Sequence, residues 1–81
     1  LAVAALCLGA VAQEAWADDA ERLAELEQKA ATAYEGKDYL AAIDLLVEAN
    51  QLSPHPNYLL NIAVSYSKLG RCTEAREWAT R

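Results

Sequence analysis

The chain has 81 residues, so it holds one small domain at most. Its net charge of −5 opposes phosphate backbones and argues against nucleic acid as a partner. Its two cysteines, Cys7 and Cys72, fall on either side of an expected cleavage point, which leaves no pair for an internal disulfide.

Leu1 to Ala12 is an unbroken run of apolar and small residues without a charge, followed by Gln13-Glu14-Ala15-Trp16-Ala17. A short apolar core that ends in a small-x-small triplet is the pattern of a secretory signal peptide. Ala15 and Ala17 are the small pair, and cleavage is expected after Ala17. Such a run spans about 18 Å as a helix, against roughly 30 Å for a hydrocarbon core, so the membrane is met only during export. The charged start and the initiator Met are missing, which places the first residue inside the signal sequence. Cys7 follows Leu6 in mid-run, whereas a lipoprotein cysteine follows a small residue at the end of the run. The expected localisation is therefore periplasmic or secreted, without a lipid anchor.

The mature part opens at Asp18-Asp19, both good caps for a first helix from Ala20 to Glu35. Leu23, Leu26, Ala30 and Ala33 form its apolar stripe with Tyr34 alongside, and Glu25 and Lys29 pair one turn apart. Gly36-Lys37-Asp38 reads as a turn, with Gly36 relieving the helix end and Asp38 capping the next helix. That second helix runs from Tyr39 to Leu52. Ala42, Leu46 and Ala49 share one face with Leu45 and Leu52 beside them, and the small residues there admit a close neighbour. Ser53-Pro54-His55-Pro56 ends it. A third helix, Asn57 to Leu69, carries Leu59, Ile62, Ala63 and Tyr66, with Gly70 at its end. A fourth, Glu74 to Arg81, is capped by Thr73. No strand pattern occurs, so the expected fold is all-α, built of antiparallel helix pairs.

A shift of 33 residues lays Leu26 on Leu59, Ala30 on Ala63, Tyr39 on Cys72 and Ala42 on Ala75. The matches fall on the buried stripes of both helix types, and a period near this length with two helices per unit marks a helical repeat. On these residues the chain resembles the tetratricopeptide repeat (TPR) family. A first unit, about 23–55, supplies Leu26, Ala30, Ala33, Ala42, Leu46, Ala49 and Pro54 at motif positions, with Lys29 departing from the expected Leu. A second unit, 56–81, supplies Leu59, Ile62, Ala63, Tyr66, Gly70 and Ala75, then Ala79 at a position that wants a large residue. The resemblance implies a TPR-like α-solenoid with one full unit and one truncated unit. Such arrays usually need about three units and a cap, so the chain reads as a fragment.

The same resemblance implies a concave groove lined by the first helix of each pair. Its members would be Glu27, Ala31, Tyr34, Asn57, Leu60, Asn61, Val64, Ser67 and Lys68. Glu27 and Ala31 stand where the family's carboxylate clamp would carry Lys and Asn, so no such clamp is expected. The resemblance then implies that an extended peptide would dock with its backbone bonded by Asn61 and its side chains against Tyr34, Leu60 and Val64.

Residues that carry chemistry elsewhere have bland readings here. His55 is a lone histidine in a proline-flanked loop, without the ligand spacing of a metal site. Cys72 reads as a small packed residue, with Arg71 adjacent as a group that would activate its thiol. Glu25 and Glu27, two residues apart, do not share a helix face and form no acid/base pair. Catalytic residues, cofactors and metals are therefore not expected. The leading function is a non-catalytic protein- or peptide-binding scaffold of the bacterial envelope or periplasm. Two alternatives are an N-terminal accessory region of a larger envelope enzyme, such as a peptidase, and a module that self-associates through Trp78 on its uncapped last helix.

Overall fold

A computed structural model of the chain describes the backbone of residues 2–81 and the side chains of residues 18–81. The expected signal sequence, its cleavage at Ala15 and Ala17, and Cys7 fall outside the residues described at side-chain level. Four helices follow one another: α1 Ala2–Glu35, α2 Tyr39–Leu52, α3 Pro56–Lys68 and α4 Cys72–Ala79. Among the described residues there is no strand, and no helix is long and apolar enough to cross a membrane. Each helix packs on the one before it, α2 on α1, α3 on α2 and α4 on α3. The connections are only a few residues long, so each helix must fold back along its predecessor. The architecture is all-α and solenoid-like.

The turns show why. At the end of α1 the Asp38 N–H donates to the Ala33 carbonyl at 2.8 Å, and the Lys37 N–H donates to that of Tyr34 at 3.0 Å. At the end of α3 the Arg71 N–H donates to the Tyr66 carbonyl at 3.0 Å, and the Gly70 N–H donates to that of Ser67 at 3.0 Å. Both are Schellman closures, in which a left-handed residue lets the chain reach back to the orphan carbonyls of the last turn. The left-handed residues are Lys37 (φ 63°) and Gly70 (φ 76°), 33 positions apart. The residues that cap the next helices, Asp38 and Arg71, have nearly the same backbone, with φ/ψ of −89°/73° and −94°/73°. The recurrence suggested by side chains is thus present in the backbone.

Several boundaries differ from the sequence reading. Asp18 and Asp19 lie within α1 instead of capping it, because no Gly or Pro interrupts the strong helix formers around them. Gly36 is not the left-handed residue of its turn; Lys37 is. A side chain there costs about 1 kcal/mol relative to glycine. Lys37→Gly is accordingly expected to raise the thermal midpoint by about 4–8 °C, measurable by circular dichroism. An unchanged or lowered midpoint would contradict this turn. Asp38 does cap α2, its Oδ1 accepting from the Ala41 N–H at 3.3 Å. α4 starts at Cys72 and not after Thr73, since the turn itself delivers Arg71 into the cap position, where no side-chain cap bond forms.

His55 also departs from a plain loop role. Its Nδ1 accepts from the Asn57 N–H at 3.1 Å and caps α3, while Asn50 Oδ1 accepts from the His55 N–H at 3.0 Å. Pro56 is the first residue of α3, where its fixed φ suits a helix and its missing N–H loses nothing.

α2 is the central helix. Ala42, Ile43, Leu46 and Ala49 are buried, and they meet Leu26 and Ala30 of α1 and Ile62 and Ala63 of α3 in the core. Ala42 and Ala49 are 0% exposed, as residues are where helices cross closely. Ser65, the buried polar side chain, donates to the Asn61 carbonyl at 2.8 Å. Among the described residues only four large aliphatic side chains are buried: Leu26, Ile43, Leu46 and Ile62. At about 1.5–3 kcal/mol apiece, that is a thin core. Leu52 is 44% exposed against the expectation, because it is the last residue of α2, beyond the last buried position at Ala49. Ala79, which repeats the place of buried Leu46, is exposed because α4 has a neighbour on one side alone. Trp78 packs half-buried against the core, with the Arg81 guanidinium 3.8 Å from its ring centroid.

Candidate functional site

α1 and α3 both pack on α2, so they run parallel and leave an open groove of about 490 Å³ between them. One wall is the α1 row Glu27, Ala31, Tyr34 and Glu35. These positions recur at four, seven and eight residues, which is one face of a helix. The other wall is the α3 row Asn57, Asn61 and Val64 with Tyr58, spaced in the same way. Ala30 and Leu46 close the floor. The lining is mostly apolar, with polar groups along both rims.

Of the nine residues expected in the groove, Glu27, Ala31, Tyr34, Asn57, Asn61 and Val64 line it. Leu60, Ser67 and Lys68 do not. Leu60 is 57% exposed, about 100° round the helix from Asn61. Ser67 and Lys68 continue the α3 row beyond Val64, the last α3 residue of the lining. Tyr58, Glu35, Ala30 and Leu46 were not anticipated. Glu35 follows Ala31 by four residues and was legible as part of that row. Tyr58 was not, since its role depends on reaching across to α1.

That reach closes one end of the groove. The Tyr58 hydroxyl donates to Glu27 Oε1 and ties α3 to α1. The carboxylate that accepts this proton, partial burial and the nearby negative charge together push the Tyr58 phenol up to about 12. It therefore stays a donor. His55 stands edge-on to the same ring at 5.9 Å. At the opposite end Tyr34 is set by an edge-to-face contact with Tyr39, centroids 5.3 Å apart.

The remaining charges lie on the outer faces. Glu25 pairs with Lys29 at 2.6 Å, which holds its carboxyl below the usual range, and Arg22 pairs with Glu48 at 2.5 Å across α1 and α2. Exposed pairs of this kind contribute little to stability. Cys72, the first residue of α4, is exposed instead of packed. Arg71, beside it, bonds Glu74 at 2.5 Å and lies 5.3 Å from the Tyr66 ring centroid, so its charge is directed to those groups. Among the described residues no group of three or more His, Cys, Asp or Glu side chains is placed to hold a metal ion.

Comparison with family models, with curated proteins and with solved structures finds no match for this chain.

Proposed function

We propose that the chain is a non-catalytic helical-repeat module of the tetratricopeptide type, exported from a bacterial cytoplasm, which holds an extended peptide segment in the α1–α3 groove. The repeat reading is supported by the 33-residue recurrence of turn, cap and helix start, together with Ala42, Leu46, Ala49 and Pro54 at their motif places. Export is supported by the apolar run of residues 1–12 and the Ala15-Trp16-Ala17 triplet. A mature chain recovered with an N-terminus other than Asp18 would argue against that cleavage.

The observation that carries peptide binding is the pair Asn57 and Asn61. Both are exposed on the groove wall, and neither side chain bonds to the rest of the described residues. Each carboxamide offers a donor and an acceptor, the complement of a backbone amide. Four residues of α-helix advance about 6 Å, close to the roughly 6.6 Å that separates alternate residues of an extended strand. The two side chains are therefore in step with alternate peptide groups of a strand laid along α3. Its side chains would meet Ala31, Tyr34 and Val64 on one face and solvent on the other.

Asn61→Ala removes up to two such bonds, about 1–2 kcal/mol or roughly five- to thirtyfold in Kd. Because Asn61 is exposed and its carbonyl still accepts from Ser65, helicity is expected to stay unchanged. An isothermal titration with an apolar, blocked peptide that binds the wild-type chain reads the loss. Equal affinity for the two chains would remove Asn61 from the site.

A further inference from the structure

The groove has a charge as well as a shape. Its rim carries two carboxylates, Glu27 and Glu35, and its lining contains no Lys or Arg. Glu27 is already engaged by the Tyr58 hydroxyl. Glu35 is exposed and belongs to none of the ion pairs among the described residues. It is also the last residue of α1, where the helix dipole adds partial negative charge. Next to it stands Tyr34, whose ring presents an electron-rich face. An anionic tail placed here would meet negative charge without a cation in the lining to offset it.

We propose that the segment held in this groove is basic: an extended peptide bearing a Lys or Arg whose cation pairs with Glu35 and whose aliphatic stem lies along Tyr34. The proposal rests on the peptide-binding reading of the same groove and adds its charge class. Glu27 and Glu35 are about 12 Å apart along the helix axis, at 1.5 Å per residue. An extended strand covers that distance in about four residues, and residues four apart in a strand point to the same side. The groove thus favours a second basic residue four positions from the first, reaching the free oxygen of Glu27, with apolar residues between them over Ala31 and Val64. Specificity comes from opposing charge against acidic segments and from the spacing of the two carboxylates against segments with other spacings.

The test is an amide chemical-shift titration of the full chain with the blocked, amidated peptide Gly-Ser-Lys-Val-Ala-Leu-Lys-Ser-Gly. Twins with Gln or with Glu in place of both lysines are titrated beside it. The expected result is shifts at the amides of Ala31, Tyr34, Asn61 and Val64. The Lys peptide should bind about three- to fivefold more tightly than the Gln twin and more than tenfold more tightly than the Glu twin. Added salt should narrow these ratios. Glu35→Gln should weaken Lys-peptide binding about two- to fivefold without changing the affinity for the Gln twin. Equal affinities for the three peptides at these amides would overturn the charge class while leaving the docking reading in place. Absence of groove shifts with every peptide at millimolar concentration would overturn the docking reading itself. Groove shifts on concentrating the chain alone would assign the site to a second copy and overturn the proposal.

Discussion

An Ala49→Trp chain is expected to lose its cooperative thermal transition altogether, leaving a shallow, featureless decline in helical circular dichroism. Ala49 is 0% exposed on the central helix, and the same helix is packed by α1 on one side and α3 on the other. An indole has no room at such a crossing unless the helices move apart. Overpacking by much smaller groups already costs about 1–3 kcal/mol. A domain this small has only a few kcal/mol in hand. The control lies on the same helix: Leu52→Trp, at an exposed position, should shift the midpoint by no more than about 0.5 kcal/mol permits. If both variants melt alike, the assignment of the buried face of α2 is wrong.

Ile62→Ala should be nearly as severe. Ile62 is 0% exposed and clusters with Ala30 of α1 and with Ile43 and Leu46 of α2, so it is the point at which three helices meet. Removing a buried aliphatic side chain of this size costs about 2–5 kcal/mol, the spread depending on how far the site collapses. Here collapse is limited, because the neighbouring Ala30 and Ala63 have no length with which to fill the void. Ile62→Val, which deletes one methylene group, should cost only about 0.5–1.5 kcal/mol. Urea titration monitored at the helical dichroism band separates the two. A mild effect from the alanine variant would mean that α3 is docked through the rim contacts, chiefly Tyr58 to Glu27, and not through its core side chain.

The two core variants also sharpen the functional test. Asn61 is on the same helix as Ile62, turned about 100° away from it. Loss of binding in Asn61→Ala, with folding intact, is therefore interpretable only because the adjacent residue reports folding so strongly.

Much of the architecture arises from short-range chemistry that is legible in residue order. The limits of α2 were readable because Asp38 caps its start and Ser53-Pro54 prevents its continuation, both local effects. The buried set Leu26, Ala30, Ala42, Leu46, Ala49, Ile62 and Ala63 was readable because burial on a helix repeats with its turn. Of the nine positions that the family resemblance implies for a groove, six lie on the lining of the α1–α3 cleft.

Tertiary structure decided what depends on where elements stop and what faces them. Lys37, not Gly36, takes the left-handed place, since the Schellman closure needs that conformation one residue further on, whatever side chain stands there. Ser67 and Lys68 fall outside the groove, whose α3 wall ends at Val64. Cys72 and Ala79 are exposed on α4, which packs on α3. The Tyr58–Glu27 closure joins residues 31 positions apart, a contact that no local pattern specifies. Periodicity tells each helix which face is apolar; only the packing of one helix on another sets which of those faces is covered and which is left open to bind.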